Sequence, residues 1–592
     1  MQCRTGTMIT IKQISTRTVS CAHLLQTEHF ARDGFGLSLV WAALAGFAGA
    51  LATMLFRACI SALVWLETGH VTGLVEAARA LPPTVRVLVP TTGGLIAGTI
   101  LWLARRRGRR ESGGDYMESI VIGDGIVPPG ESLLRSVSSL FSIASGGSIG
   151  REGPMVQLAA AVASLIARAV NLGVPQRRLL VACGAAAGLT AAYNAPLAGA
   201  LFVAEIVLGS IAIESLVPLL VAAMVANLTT HVLAPDVPLY PIEGLAHVHG
   251  ATYVSYAAIG IVAGLCGPLF LGLINATRRR VERMTLPLPL KMMMGGLVVG
   301  IISVRVPEVW GNGYSTINAI LQGQWIGGAL LIVLLCKIAA TASTVGSGAI
   351  GGVFTPTLFV GAALGALMTQ GFAQWMPDAA PQEQAGAAVA MGAFLAATTQ
   401  APLTSILMVL EMTGAYVLVL PLMLACVVAQ FVIRMLRAKS IYAAAEHRRQ
   451  LYAAVHDLSL KSVAALLRPS PPTLRMDDQI PAIVAAFDLW RFQYLYVVDT
   501  KGHYLGAISL HDLRKFLAES DASTQADCVA LALTTKTLQV LNEDMTLEQA
   551  LALFRAHRGE RLPLVGNRDL LLGAVWKTDV LLELQQRLSL VR

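Results

Sequence analysis

Charged residues are scarce in this chain: Asp, Glu, Lys and Arg make up only 14% of its 592 residues, whereas hydrophobic residues make up 55%. An ordinary soluble protein carries roughly 25% charged residues. With a mean hydropathy of +0.64, the composition excludes that class and predicts a polytopic membrane protein. Apolar runs of spanning length begin at residues 34–66 and 84–103 and recur to about residue 436.

Paired cysteines are also missing. The eight cysteines show no Cys-x-x-Cys spacing and stand mostly alone within apolar segments. We interpret them as small buried hydrophobic residues rather than disulfides or metal ligands. No compact signal-peptide core precedes a small-residue cleavage site, so residues 1–34 are expected to be a cytoplasmic N-terminal segment.

A basic soluble face is missing as well, although the net charge is +8. The basic residues cluster at the ends of apolar runs, near residues 105–110, 177–178, 278–280 and 434–439. Such clusters are typical of the cytoplasmic ends of membrane helices. We therefore expect contact with membrane lipid and no nucleic-acid partner.

Internal duplication is present instead. "APLAGALFVAE" at 195–205 returns as "APLTSILMVLE" at 401–411, and "GSIGREGP" at 147–154 has a counterpart in "GAIGGVFTP" at 348–356. Arg135 and Lys337 each lie 17 residues upstream, before Glu152 and Phe354 respectively. Duplicated membrane halves interrupted by Gly and Pro predict broken helices around a central transport site. The helix N-terminus motifs comprise Gly150, Arg151, Gly153, Pro154, Gly351, Gly352 and Pro356.

The N-terminus of a broken helix can bind an anion, because its first N–H groups lack partners and glycine permits close approach. The alternative is that the glycines only let helices pack closely. For two related segments we favour the first interpretation.

A soluble region follows residue 440. "YLYVVDTKGHYLGAISLHDL" at 494–513 and "RLPLVGNRDLLLGAVWKTDV" at 561–580 match each other 67 residues apart. Each predicts a strand, a turn, a strand and a helix. We expect two small α/β modules at about 458–520 and 525–592, within a domain of residues 446–592.

Taken in order, "GREGP", "GVFTP", "GAAAGLTAAYNAPLAG" and "APLTSILMVLEMTGAY" resemble the ClC family of anion channels and proton/anion exchangers, over roughly residues 35–445. The tail resembles the paired CBS modules of some ClC proteins, and "DYMES" with "SGGSIGREG" is most similar to the bacterial ClcB-like branch. The resemblance implies a mainly α-helical, inverted-repeat membrane domain, multi-pass in the cell inner membrane, with a cytoplasmic tail. It also implies a homodimer that conducts chloride, with no catalytic residue and no required cofactor.

Glu152 is the predicted gate. Its repeat counterpart is apolar, Val353 or Phe354, so the shared scaffold does not need the acid. An intramembrane carboxylate is costly when ionised and can alternate between an anion and a neutral acid. The resemblance implies that it occupies an anion site and swings away when protonated. A salt bridge with Arg151 is the alternative.

The resemblance also implies the rest of the path. The expected anion-binding residues are Gly113, Gly114, Val353, Phe354 and Tyr442. Many relatives have a serine where Gly113 or Gly114 stands, so a hydroxyl donor is missing there and anion preference stays open. The basic residues expected to attract anions near the entrances, or else to reach the interface without functional effect, are Arg135, Arg151 and Lys337.

Two glutamates recur in both halves. Because Glu205 and Glu411 occupy the same repeat position, we expect a scaffold role, such as accepting hydrogen bonds from backbone donors at a helix break.

Ile206 stands where well-characterised exchangers often carry an acid. This favours a voltage- or proton-gated channel, with a proton-coupled chloride antiporter as the alternative.

The tail offers candidate nucleotide contacts. In "GAISLHD", Ser509 and Asp512 fit the family's pattern for phosphate and ribose, whereas the second module keeps Asp579 but has Trp576 in place of Ser or Thr. One adenine-nucleotide site and a purely structural, dimer-forming tail are both open.

Other functions have weaker support. A fluoride exporter is possible within the family. An intramembrane serine hydrolase would need Ser347 of "GSG" to meet His231 or His247, and nothing in the sequence fixes that geometry. A sensor anchored by the membrane part would need only one or two spans, against which the duplication argues.

Overall fold

The computed structural model of this protein describes residues 22–589 except 70–72, 107–114, 234–238, 243, 246–247, 249, 444–445, 448–460, 470, 522–528, 536–537 and 558. The chain divides into two compact units, Met1–Glu446 and His447–Arg592. The first unit is helical and the second is α/β.

Helices make up the first unit. Its first half contains α1 (Ala22–Thr68), α2 (Leu74–Ala80), α3 (Pro83–Arg106), α4 (Tyr116–Val121), α5 (Pro129–Ala144), α6 (Glu152–Ala169), α7 (Val174–Tyr193), α8 (Pro196–Phe202), a π-helical turn (Val203–Leu208) and α9 (Ile213–Leu233). Its second half contains α10 (Thr252–Glu282), α11 (Leu288–Ser303), α12 (Tyr314–Leu321), α13 (Gly327–Gly346), α14 (Phe354–Trp375), α15 (Glu383–Thr399), α16 (Pro402–Thr413) and α17 (Val419–Leu436). Short 3₁₀ turns lie at Pro307–Val309, Pro377–Ala379 and Tyr416–Leu418.

Membrane-spanning helices are present in both halves. Within the described residues, seven helices are long and apolar enough to cross a bilayer: Gly36–Thr68, Pro83–Arg106, Ile213–Leu233, Thr252–Glu282, Gly327–Gly346, Phe354–Trp375 and Tyr416–Leu436. A span needs about 20 apolar residues. The predicted polytopic membrane protein is confirmed.

The two halves repeat their helix breaks. Helix α7 ends before Asn194, which is left-handed with φ 56°, and α8 begins two residues later at Pro196. Helix α15 ends before Gln400, with φ 59°, and α16 begins at Pro402. A left-handed residue ends a helix, and proline is favoured at the start of the next. The repeated sequences therefore form the same broken hairpin twice.

Small residues let neighbouring helices approach closely. A Cβ added to Gly184 of α7 would lie 2.7 Å from the Ala159 carbonyl oxygen of α6, and one added to Gly361 of α14 would lie 2.7 Å from the Ala390 oxygen of α15. Such backbone contact is typical of helices packed within membranes.

The second unit contains two similar modules. In chain order it has β1 (Thr473–Arg475), α18 (Ile480–Trp490), β2 (Tyr494–Val498), β3 (Tyr504–Ser509), α19 (Leu510–Glu519), α20 (Ala530–Leu533), β4 (Leu541–Asn542), α21 (Leu547–Ala556), β5 (Arg561–Val565), β6 (Leu571–Trp576) and α22 (Lys577–Ser589). Strand β2 pairs in parallel with β1 and antiparallel with β3, and β5 pairs likewise with β4 and β6. The predicted small α/β modules are confirmed.

The modules of the second unit also exchange strand-like contacts. Ala507 of β3 pairs with Thr535, and Ala574 of β6 pairs with Arg468, in isolated antiparallel bridges. Thr535 precedes β4 of the second module, and Arg468 precedes β1 of the first module. The last strand of each module is therefore extended by the segment that leads into the other module's sheet.

Candidate functional site

The two glycine-rich segments meet at one point of the membrane unit. The Gly150 amide donates to the Gly352 carbonyl over 2.7 Å, and the Gly352 amide donates to the Gly150 carbonyl over 2.8 Å, in an antiparallel bridge. Residues that are equivalent in the two repeats thus bond to each other reciprocally. This is the arrangement expected at the axis that relates two inverted halves.

Two helices begin beside this bridge. Helix α6 begins at Glu152 and α14 at Phe354, each two residues after its bridging glycine, and the third residue of each helix is a proline. Glu152 is therefore equivalent to Phe354 rather than to Val353, which with Arg151 occupies the N-cap position. The positive ends of both helix dipoles lie at the bridge, where the first N–H groups lack intrahelical acceptors.

The Glu152 side chain lies buried at this junction, with only 4% of its surface exposed. Its Oε1 accepts a hydrogen bond from the Thr355 hydroxyl, and its Oε2 has no hydrogen-bond partner among the described residues. A Cβ on Gly150 or Gly352 would collide with this carboxylate. The glycines therefore leave room for the acid, and Arg151 does not pair with it.

A second hydroxyl supports the Glu152 contact. The Tyr193 hydroxyl, at the end of α7, lies 2.9 Å from Thr355 Oγ1, and both side chains are buried. Sequence reasoning missed Thr355 and Tyr193, although Thr355 lies within the "GVFTP" motif and Tyr193 directly precedes a helix break.

Aromatic rings connect two of the predicted anion-binding residues. The Phe354 ring lies 5.2 Å from Tyr193 and 6.2 Å from Phe202, measured between centroids, and Phe202 lies 5.8 Å from Tyr442. Phe354 and Tyr442 are thus brought to one aromatic cluster. Gly113 and Gly114 lie outside the described residues.

The three basic residues occupy different environments. Arg151 lines a cavity of about 180 Å³ together with Trp310 and Tyr314. Arg135 is 38% exposed, lies 3.8 Å from Glu131, and lines a cavity of about 340 Å³. Both positions suit residues near an entrance.

Lys337, unlike Arg135, is fully buried. Its ammonium donates to the carbonyl oxygens of Val309 and Gly311 over 3.0 and 2.8 Å. A buried cation needs such acceptors in place of water. Lys337 therefore holds the loop around Trp310, and its expected role in attracting anions stays a prediction.

The repeated glutamates cap helices across the two halves. Glu411 accepts from the amides of Leu197 and Ala198 at the start of α8, over 2.9 and 2.8 Å. Glu205 accepts from the Leu403 and Thr404 amides at the start of α16, over 3.4 and 2.9 Å. These are the second and third residues of each helix. The contacts are those of the expected scaffold role, with each carboxylate binding the other half's helix.

Ser347 makes a hydrogen bond within its own helix end. Its hydroxyl donates to the Thr344 carbonyl over 2.7 Å, at the end of α13. His231 belongs to α9, and His247 lies outside the described residues. In the part of the chain that the structure describes, the Ser347 hydroxyl contacts a backbone carbonyl rather than the base that a serine nucleophile needs.

The candidate nucleotide residues of the tail differ between the modules. Ser509 caps α19, donating to Asp512 Oδ2 over 2.7 Å and accepting from the Asp512 amide over 3.0 Å. Asp579 accepts two hydrogen bonds from the Arg468 guanidinium, over 2.8 and 2.7 Å. The Trp576 ring lies 5.4 Å from the same guanidinium. In the second module Asp579 is therefore already paired with Arg468.

A buried arginine joins the two modules. Arg561 is 2% exposed, lies 3.8 Å above the Phe492 ring and donates to the Tyr494 carbonyl over 2.9 Å. Burial lowers the pKa of Arg561 below its ordinary value, while nearby Tyr496 and Tyr494 raise it. Stacking on aromatic faces stabilises such a partly desolvated guanidinium.

Known proteins resemble both units. The family model described as voltage gated chloride channel matches residues 93–434, and the CBS domain model matches 463–519 and 529–585. A ClcB-like chloride channel protein of Ralstonia nicotianae is 51% identical over 416 residues, covering 70% of this chain and 97% of that relative. The voltage-gated ClC-type chloride channel ClcB of Salmonella typhimurium is 43% identical over 417 residues, covering 69% and 99%.

Solved structures show the same fold. A slow cyanobacterial Cl⁻/H⁺ antiporter aligns with a TM-score of 0.61 and 25% identity, over 70% of this chain and 98% of its own. A eukaryotic CLC transporter aligns with a TM-score of 0.55 and 18% identity, over 95% and 99%.

Proposed function

Since this chain belongs to the voltage-gated chloride channel family, we propose that it carries chloride across a membrane along a path gated by Glu152. The observation that carries the proposal is the burial of a carboxylate where two helix N-termini meet. The positive helix ends and free amides favour an anion there. In the proposed closed state, the ionised Glu152 side chain is that anion.

Protonation supplies the gating step. An ionised Glu152 occupies the anion position and keeps chloride out by charge and volume. When the carboxylate takes a proton, it loses its attraction to the helix ends, and chloride can replace it there. The amides of Val353 and Phe354 and the Tyr442 hydroxyl then donate to the ion as it passes. Chloride flux therefore rises as the pH falls.

A gated channel is the preferred form of transport. Ile206 follows the Glu205 cap directly, is half-buried, and cannot carry a proton. Proton-coupled antiport is the second candidate, which the 25% identity to a Cl⁻/H⁺ antiporter favours.

Liposomes that contain the purified protein provide the test. Chloride and proton movement are recorded together while the chloride and proton gradients are varied independently. A reversal potential set by chloride alone indicates a channel, and a fixed proton contribution indicates an antiporter. If chloride flux does not exceed that of liposomes without protein, both the channel and the antiporter are contradicted.

The proposal also includes a homodimer with one pore per subunit, which lies in the cell inner membrane with its tail in the cytoplasm. We assign the tail one adenine-nucleotide position, at Ser509 and Asp512, because Arg468 and Trp576 already occupy the matching position beside Asp579. Nucleotide would regulate transport only by favouring one pore conformation.

Titration of the full-length protein in nanodiscs with AMP and ATP tests the tail assignment. One equivalent per chain is expected, and Asp512→Ala abolishes binding whereas Asp579→Ala leaves it. Two equivalents, or loss of binding in Asp579→Ala alone, would reverse the assignment. Absence of binding to the unmodified protein would make the tail structural.

A further inference from the structure

The carboxylate of Glu152 is held by hydroxyl groups that the gate proposal does not explain. Thr355 Oγ1 donates its single hydroxyl hydrogen to Glu152 Oε1. A hydroxyl has one hydrogen and two acceptor lone pairs. The Tyr193 hydroxyl lies 2.9 Å from Thr355 Oγ1 and also interacts with the Glu152 carboxylate. The three groups form one buried polar cluster.

Both hydroxyl groups are buried with the carboxylate. Thr355 and Tyr193 are only 1% and 3% exposed, and Glu152 Oε2 has no hydrogen-bond partner among the described residues. Hydrogen bonds to charged groups are the strong ones, and more so away from water.

The contact between Thr355 and Glu152 crosses the axis between the halves and is not repeated. Glu152 is the first residue of α6, and Thr355 is the second residue of α14. The equivalent pair consists of Phe354 and Gly153, which have no polar side-chain atoms. Tyr193 likewise corresponds to Thr399, since each is the last residue of its helix. A contact made once in a duplicated scaffold is not required by that scaffold.

We propose that Thr355 and Tyr193 form a latch that holds the ionised Glu152 carboxylate in the closed position and sets the pH at which the gate opens. Opening breaks the Thr355–Glu152 hydrogen bond, and the carboxylate takes a proton from the solution. The latch favours the ionised, closed form, so a lower pH is needed for opening than without it. This proposal rests on the proposed role of Glu152 as the gate.

The test is the pH dependence of chloride flux in liposomes for Thr355→Val, which keeps the side-chain shape but removes the donor. A hydrogen bond to a charged group corresponds to about one to two pH units. We expect the midpoint of the flux–pH curve to move to higher pH by about one unit or more. Thr355→Ser, which retains a hydroxyl, should restore the midpoint towards the wild-type value. Tyr193→Phe should move it in the same direction, because the Tyr193 hydroxyl also interacts with the Glu152 carboxylate.

Thr357→Val is the matched control. Thr357 is equally buried on the same helix, but its hydroxyl donates to the Phe354 carbonyl over 2.5 Å and does not contact the gate. Its midpoint should equal that of the wild type. An unchanged or lowered midpoint in Thr355→Val, or an equal shift in Thr357→Val, would overturn the latch.

The Glu152→Gln background separates failure of the latch from failure of the gate. There the flux should be independent of pH, and adding Thr355→Val should change nothing. If Glu152→Gln keeps the wild-type pH response, the gate proposal itself is wrong. If Glu152→Gln loses the response but Thr355→Val has the wild-type midpoint, only the latch is wrong.

Discussion

At the scale of single residues, the basic residues at one repeat position lie in different environments in the two halves. Arg135 and Lys337 occupy equivalent places before the two glycine-rich segments, yet Arg135 is 38% exposed and Lys337 is fully buried. The sequence shows a basic residue at this position in each half and therefore predicts that both lie near an entrance. It could not show that the carbonyls of Val309 and Gly311 lie ready to accept from Lys337, because that loop is about 26 residues away.

Replacing these two residues should therefore have different effects on stability. Lys337→Met leaves two buried carbonyl oxygens without donors, and we expect a loss of about 2 kcal/mol in the free energy of unfolding in detergent, after the gain from removing a buried charge. Arg135→Met removes only a loose, exposed ion pair and should change it by less than about 0.5 kcal/mol. Equal losses in the two variants would argue against a structural role for Lys337.

At the scale of helices, the crossed caps tie the two halves together. Helices α8 and α16 each begin with a proline two residues after a left-handed residue, and each is capped by a carboxylate from the other half. The recurrence of Glu205 and Glu411 predicted a backbone-binding role. Which backbone they bind could not be predicted, because an acid can cap its own half or the other half equally well by pattern alone.

Removing either cap should weaken the fold without changing the gate. Glu205→Ala and Glu411→Ala are each expected to lower the free energy of unfolding by about 1 kcal/mol, the usual value of an N-terminal cap. Chloride flux per folded protein should keep its dependence on pH. Loss of that dependence at unchanged stability would assign the residue to transport instead.

At the scale of the whole molecule, repetition was the most informative feature of the sequence. It predicted the duplicated helix breaks, the paired modules of the tail and the isolation of Glu152 from the common scaffold. It did not reveal the contact with Thr355, because the contact joins non-equivalent positions across the axis. Arg468 was missed for a similar reason, since it lies 111 residues from its partner Asp579. A repeat identifies the residues that its two copies share, whereas these contacts depend on residues that differ between the copies.

We propose that protonation of the buried Glu152 carboxylate opens the chloride path. The most direct test is chloride flux through Glu152→Gln in liposomes, measured across a range of pH beside the wild type, with protein incorporation matched. We expect wild-type flux to rise as the pH falls, whereas flux through Glu152→Gln should be high and independent of pH. A wild-type pH response in Glu152→Gln would contradict it.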